Sequence, residues 1–420
     1  MRLRATQFLG CLPAVFLLAV GITRAGEPAA LPTLPAGLPV VRIDTTDGAA
    51  IASTSTYVSG TISLSAAGCA DPFGRPCRDL PPRPLKVRGR GNMTWDYPKK
   101  PYRLKLDKPA DLLGMGAERD WVLLADYIDT TGLRNAVAFE LGRRLGVPFS
   151  HEARHVDLVL NGTSRGLYLL TEHPEVAAHR VLTDPREGYL VEFDDYPSPG
   201  EQIFSTPILD KPLKIKFPDV AKLEGGDRTA AIARVTGVFT KFEQTIAAPD
   251  GPGDYASLLD VDSLIDWFLV HEITHNYEPQ HPKSCFFHRG ADGRIAAGPL
   301  WDFDWAYDHD PPATDVLRLR EMMWFPHLFK DPAFRARVVA RWQAVKVAHV
   351  DTLPAYLDAL AAGISDSVAA DLRLWPCDDD IRCRSDAAVL KRWLTERIPA
   401  LDAAIMALEQ KPEPLPAETR

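Results

Sequence analysis

Leu85-Lys86-Val87-Arg88-Gly89-Arg90-Gly91-Asn92-Met93-Thr94-Trp95, followed by Tyr102-Arg103-Leu104-Lys105-Leu106, decides how the chain is read. In both runs apolar residues alternate with basic ones, the period-2 pattern of a half-buried strand. Arg103 and Lys105 therefore share one strand face. Arg88 and Asn92 stand in a glycine-rich turn whose amides can cradle an anion, although such a turn is more often purely structural.

Working outward, Thr130 to Gly146 reads as a helix capped by Asp129 or Thr130, with Leu133, Val137, Leu141 and Leu145 as its core stripe and Gly146 ending it. Val156-Asp157-Leu158-Val159-Leu160, Asn161-Gly162 and Gly166-Leu167-Tyr168-Leu169-Leu170 spell a hairpin with a strong turn signal. Beyond it, Asp262 is expected to cap a helix reaching about His275. A short hairpin follows from Cys285 to Leu300, then helices near 331–349, 352–373 and 385–409. A β-rich front and an α-rich back predict an α+β chain of two lobes, about 38–195 and 196–410.

Composition is that of an ordinary globular protein: 420 residues, 46% hydrophobic, 25% charged and a net charge of -8. Arg2 and Arg4 precede the apolar run Phe8 to Val20, and Thr23-Arg24-Ala25 offers a cleavage site, so residues 1–25 read as a secretory signal. Residues 26–37 read as a linker and 411–420 as a disordered tail. Leu9-Gly10-Cys11 only faintly matches a lipidation site, and no later segment is apolar enough for a membrane anchor. An acidic mature chain argues against nucleic acid as partner. In an exported protein the spacing predicts disulfides Cys69–Cys77 and Cys377–Cys383, with Cys285 a buried thiol.

Four motifs, in order and spacing, carry a family resemblance: Arg88 to Trp95 leading into Lys99-Lys100-Pro101-Tyr102; Asp120-Trp121-Val122-Leu123-Leu124-Ala125 running on to Leu133-Arg134-Asn135; Val159-Leu160-Asn161-Gly162 with Gly166 to Glu172; and Gly298-Pro299-Leu300-Trp301-Asp302-Phe303-Asp304. The chain resembles the CotH kinase family, named for spore coat protein H, over roughly residues 40–345. The resemblance implies an atypical protein-kinase-like fold that uses ATP and Mg2+ or Mn2+ to phosphorylate serine or threonine hydroxyls of a partner protein. Some members are exported or serve in attachment to a surface.

Phosphoryl transfer needs cations over the phosphates, acids for the metal and a carboxylate beside the acceptor hydroxyl. Lys105 is the strand lysine expected over the phosphates, with Arg88 and Asn92, and Glu140 is its expected partner. The bland alternative for Lys105 and Glu140 is a surface ion pair. Glu172 matches the family's hinge region; unaided, it is a strand-end acid. Asp302 and Asp304, taken as an extended segment, project to one side of an aromatic wall and suit a hard cation. Structural acids at a loop start are the alternative. Where the family pattern has a catalytic aspartate this chain has Glu278, one methylene longer, so Glu278 is the candidate base and a decayed attachment or binding protein is a second reading.

A rival occupies the same helix. His271-Glu272-Ile273-Thr274-His275 satisfies H-E-x-x-H, with His281 where a third zinc ligand would fall, as in a zinc metallopeptidase. Against it, Glu278 stands where a turn glycine is needed, and Pro279 is expected to hold Glu278 extended. His151, His155 and His309 are expected to be solvated.

Overall fold

The computed structural model describes residues 37–184, 186–194, 203–308, 310–314, 316–376 and 385–409. The leader, Cys11, the Cys377–Cys383 pair, His309, the expected boundary near 195 and the tail lie outside these residues.

Alternating patterns in the first part become β1 (Val40–Thr45), β2 (Val58–Ser65) and β3 (Leu80–Gly89), then the single turn α1 (Met93–Asp96), β4 (Tyr102–Asp111) and β5 (Ala117–Leu124). Next come α2 (Arg134–Leu145) and the predicted hairpin, β6 (Ala153–Leu160) and β7 (Thr163–Glu172). Asn161 and Gly162 both take positive φ, 49° and 73°, the geometry a two-residue turn requires of them. The seven strands close a barrel in the order β1-β2-β3-β4-β5-β7-β6, with β1 and β6 parallel at the seam. Its interior is a separate apolar core built from Ile43, Leu104, Trp121, Leu158 and Leu170 among others.

A second sheet contains β8 (Leu190–Asp194), β9 (Ile203–Phe204), β10 (Leu213–Phe217), β11 (Lys283–Arg289) and β12 (Ile295–Ala297), ordered β12-β11-β8-β10-β9. Helices α3 (Gly225–Ile246), α4 (Val261–Thr274), α5 (Phe325–Leu328), α6 (Pro332–Val345), α7 (Leu353–Leu374) and α8 (Ala387–Met406) pack with it and with α2 around the larger core. The fold is thus a mixed α+β one, with a β-rich region and helices.

Two expected helix starts move. α2 begins at Arg134 rather than Thr130, because Asp129 folds the preceding residues into a tight turn: its carboxylate accepts from Thr131 N at 3.0 Å and from Arg134 N at 2.9 Å. The expected stripe is fully buried, and Gly146 closes the helix at φ 83°. α4 is capped by Asp260, which accepts from Ser263 N, while Asp262 turns outward to Arg337 at 2.8 Å. The Cys69–Cys77 disulfide is formed, and Cys285 is a buried free thiol. No helix among the described residues is long and apolar enough to cross a membrane.

Candidate active site

β3 ends in the Arg88-Gly89-Arg90-Gly91-Asn92 turn. Gly89 is required because Trp95 folds back on it; a Cβ there would lie 2.4 Å from the indole. Gly91 sits at φ 83°, a left-handed geometry costly for other residues. The turn forms one wall of a polar cleft of about 420 Å³. Arg88 packs over Tyr57 and donates to Gly89 O at 2.9 Å, and Arg90 stacks on Trp301 with its guanidinium carbon 5.2 Å from the ring. Burial lowers the Arg90 pKa, while Asp302 and Asp304 oppose that shift. The amides of Gly89 and Arg90 are already engaged by Ser53 O and Pro101 O, so this wall offers side chains more than a backbone cradle.

The facing wall begins where α4 stops. His275 takes a left-handed conformation at φ 49°, turning the chain toward Asn276 and Glu278. Asn276 is fully buried; its amide donates to Asp302 O at 3.1 Å and its oxygen accepts from Glu278 N at 3.3 Å. Asp302 is also left-handed, at φ 66°, rather than extended as expected, and its Oδ2 accepts from Ser284 Oγ at 3.1 Å. Phe303 goes into the core, and Trp301, itself buried, lines the cleft with Asp302, Asp304 and Trp305.

Glu278, Asp302 and Asp304 thereby face one space, and Asp126 joins them. Burial, then Asp302, pushes Glu278 up to about 9, with Lys283 opposing. Glu278 Oε2 is buried with no hydrogen-bond partner. Asp304 is raised well above the usual range by burial and by Asp302, and burial and Asp129 lift Asp126 to about 7. Among the described residues no three His, Cys, Asp or Glu side chains are grouped so as to hold a metal ion.

The structure brings together Arg88, Asn92, Glu278, Asp302 and Asp304. It does not bring Lys105, Glu140 or Glu172 into the lining. Lys105 is 41% exposed and reaches Asp120 Oδ2 at 3.6 Å; Arg103, on the same strand face but one repeat of about 7 Å nearer, lines the cleft and binds Asp120 at 2.8 Å. Glu140 pairs with Arg143 and Arg144 instead of Lys105. Glu172 holds Arg180 at 2.5 Å and accepts from Glu152 N at 2.7 Å, a buried structural role. Arg90, Asp126 and Asn135 line the site unforeseen. For Arg90 the signal was present: two residues after Arg88 along a strand, it falls on the same side.

The zinc arrangement fails on geometry. His275 lies past the helix end, off the face of His271, and His281 is exposed. His271 is buried between Trp267 and Phe303. Glu272 accepts from Leu319 N at 2.6 Å and meets Arg397 at 3.3 Å, which leaves it no role as a base. Glu278 opens a 3-10 turn with Pro279 in its first turn, so the expected extended geometry is absent. His151 and His155 are buried, not solvated: His151 packs against Phe139, Phe149 and Trp301, and His155 Nε2 meets Gly132 O at 2.7 Å.

A search of curated proteins returned no match. The family model described as CotH kinase protein matches residues 87–400, a span that holds the glycine-rich turn, α2, Glu278 and the Asp302–Asp304 loop. Most of the chain is covered, and the protein belongs to the CotH kinase family.

Proposed function

We propose that the protein is an exported, bilobal kinase that transfers the γ-phosphoryl group of ATP to serine or threonine hydroxyls of a partner protein or cell-surface component, with Mg2+ or Mn2+. One observation carries this reading: Arg88, Arg90 and Asn92 face Glu278, Asp302 and Asp304 across a single polar cleft. Asp302 and Asp304 would hold the divalent ion, for which their mutual repulsion is a fit. When bound, the ion neutralises charge on the phosphates and lowers the cost of transfer. Arg88 and Arg90 supply fixed positive charge for the triphosphate, and a guanidinium retains it at any working pH. Trp301 keeps Arg90 in place by stacking.

Glu278 orients the acceptor. Its Oε2 is free of protein partners, so when ionised it accepts a hydrogen bond from a hydroxyl, and when protonated it donates one. A positive charge beside Asp302 draws Glu278 toward its ionised form, since Asp302 is the largest charge now raising it. The disulfide Cys69–Cys77 supports export.

Labelled phosphate should pass from ATP to the chain itself or to a serine-rich protein, and Asp302→Ala should abolish the transfer. Failure to bind nucleotide by calorimetry, with Mg2+ or Mn2+ present, overturns the proposal. A binding protein with a decayed site is the second reading, favoured by the raised pKa of Glu278; a folded chain that binds nucleotide yet transfers nothing would select it.

A further inference from the structure

Asp302 O and Phe303 N belong to one peptide unit, and each is held by a different asparagine. Asn276, just past α4, donates to Asp302 O at 3.1 Å; Asn135, in the first turn of α2, accepts from Phe303 N at 2.9 Å. A backbone N–H only donates, so the side-chain oxygen of Asn135 must face Phe303. Its amide hydrogens are left for Asp126, whose Oδ1 accepts at 3.1 Å. The orientation of Asn135 is therefore fixed by chemistry. It is 4% exposed and lines the cleft.

The next residues in the loop are fixed from the same turn of α2. Arg134 donates to Asp304 O at 2.9 Å and to Asp308 Oδ1 at 2.6 Å. The Phe303 ring is wedged between Phe139 and His271. A left-handed Asp302 costs energy in a non-glycine residue, and such a conformation persists only where its surroundings over-determine it. Two bonds on one peptide plane supply that constraint.

We propose that Asn135 is a positioning residue: by clamping the Asp302–Phe303 peptide to Asp126, it sets the direction in which Asp302 and Asp304 present their carboxylates to a divalent cation. The inference rests on the kinase reading and adds a residue whose role is geometric. Asn135 spends its side-chain oxygen on Phe303 N and an amide hydrogen on Asp126. Its effect passes through the backbone of the acid loop, so metal affinity and turnover should change while affinity for ATP changes little.

The test uses the full chain and Mn2+ as probe. In Asn135→Ala, Mn2+ binding to the nucleotide-free chain, followed by electron paramagnetic resonance, should weaken about tenfold. Its kcat should fall about 10- to 100-fold, the scale of a misplacement near 1 Å, with the KM for ATP within about threefold. Asn135→Asp alone sets two carboxylates against each other and should lower kcat similarly. Adding Asp126→Asn exchanges the two groups: position 126 now supplies the amide and position 135 still accepts from Phe303 N, and kcat should return to within about fivefold of wild type.

Unchanged Mn2+ affinity and kcat in a folded Asn135→Ala chain would overturn the proposal. So would an exchanged pair no better than Asn135→Asp, whether through misfolding or inactivity. A wild-type chain that neither binds Mn2+ nor transfers phosphate would remove the kinase reading and this one with it. That failure shows in the wild type, whereas failure of the clamp shows only in the variants.

Discussion

His155 shows how far a single side chain can depart from its surface reading. Its Nε2 carries the hydrogen given to Gly132 O, and burial holds its pKa at about 4 against an ordinary 6.5. Between those values the unfolded chain binds more protons at this position than the folded one, so stability rises with pH across the window, is complete above 6.5 and is lost as pH falls toward 4. The contribution amounts to about 3 kcal/mol. His155→Gln, whose amide can still donate to Gly132 O, should flatten the rise of Tm between pH 4 and 6.5; an unchanged slope would refute the assignment. His151 and His271 are depressed by burial in the same direction and keep part of the slope. Asp302 and Asp304 are legible as cleft-lining residues because acids between aromatics stand out in the local pattern. Asp126 and Asn135 are not, because the fold alone brings their neighbours near. Lys105 was misread because alternation assigns a face but not a distance along it.

Within the elements, α2 is the one on which most else depends. Asp129 organises the turn before it, and through Arg134 and Asn135 that turn grips the acid loop. Asp129→Ala should cost about 1 to 2 kcal/mol in urea unfolding, the usual scale for losing a helix cap, with Asp129→Asn milder because it retains an acceptor. Wild-type stability in Asp129→Ala would show that the turn carries no energy. The core stripe of α2, the Asn161–Gly162 hairpin and the end of α4 were legible because their signals lie within a few residues. The start of α2 was not: Asp129 prefers to bond its own following amides, and from sequence alone that turn cannot be told from a first helical turn. His275 read as a zinc ligand only on the assumption that the helix continued through it, and its left-handed φ removes that assumption.

At the scale of the whole molecule, the barrel and the helical layer are joined by a buried ion pair. Lys99, 2% exposed, meets Asp371 of α7 at 2.9 Å, and Asp371 also accepts from Leu167 N at 2.9 Å. Gly166 is indispensable beside it, since a Cβ there would fall 2.0 Å from Asp371 Oδ1. Asp371→Ala takes from Lys99 its ion-pair partner, leaving Leu167 O and the Tyr168 ring beside the ammonium, and should cost about 3 kcal/mol in denaturant unfolding; a loss below about 1 kcal/mol would mean the pair contributes little. The mixed α+β class followed from the change of pattern along the chain, but closure of the barrel did not. The parallel seam of β1 and β6 aligns Val40 with Asp157, and no local signal records a pairing so distant in sequence. Because β1 is synthesised more than a hundred residues ahead of its mate, one edge of the sheet must wait, open and apolar on one face, until β6 arrives. Such an interval favours capture by a chaperone or by another nascent chain, which makes the seam the part of the barrel most exposed while the chain is being made.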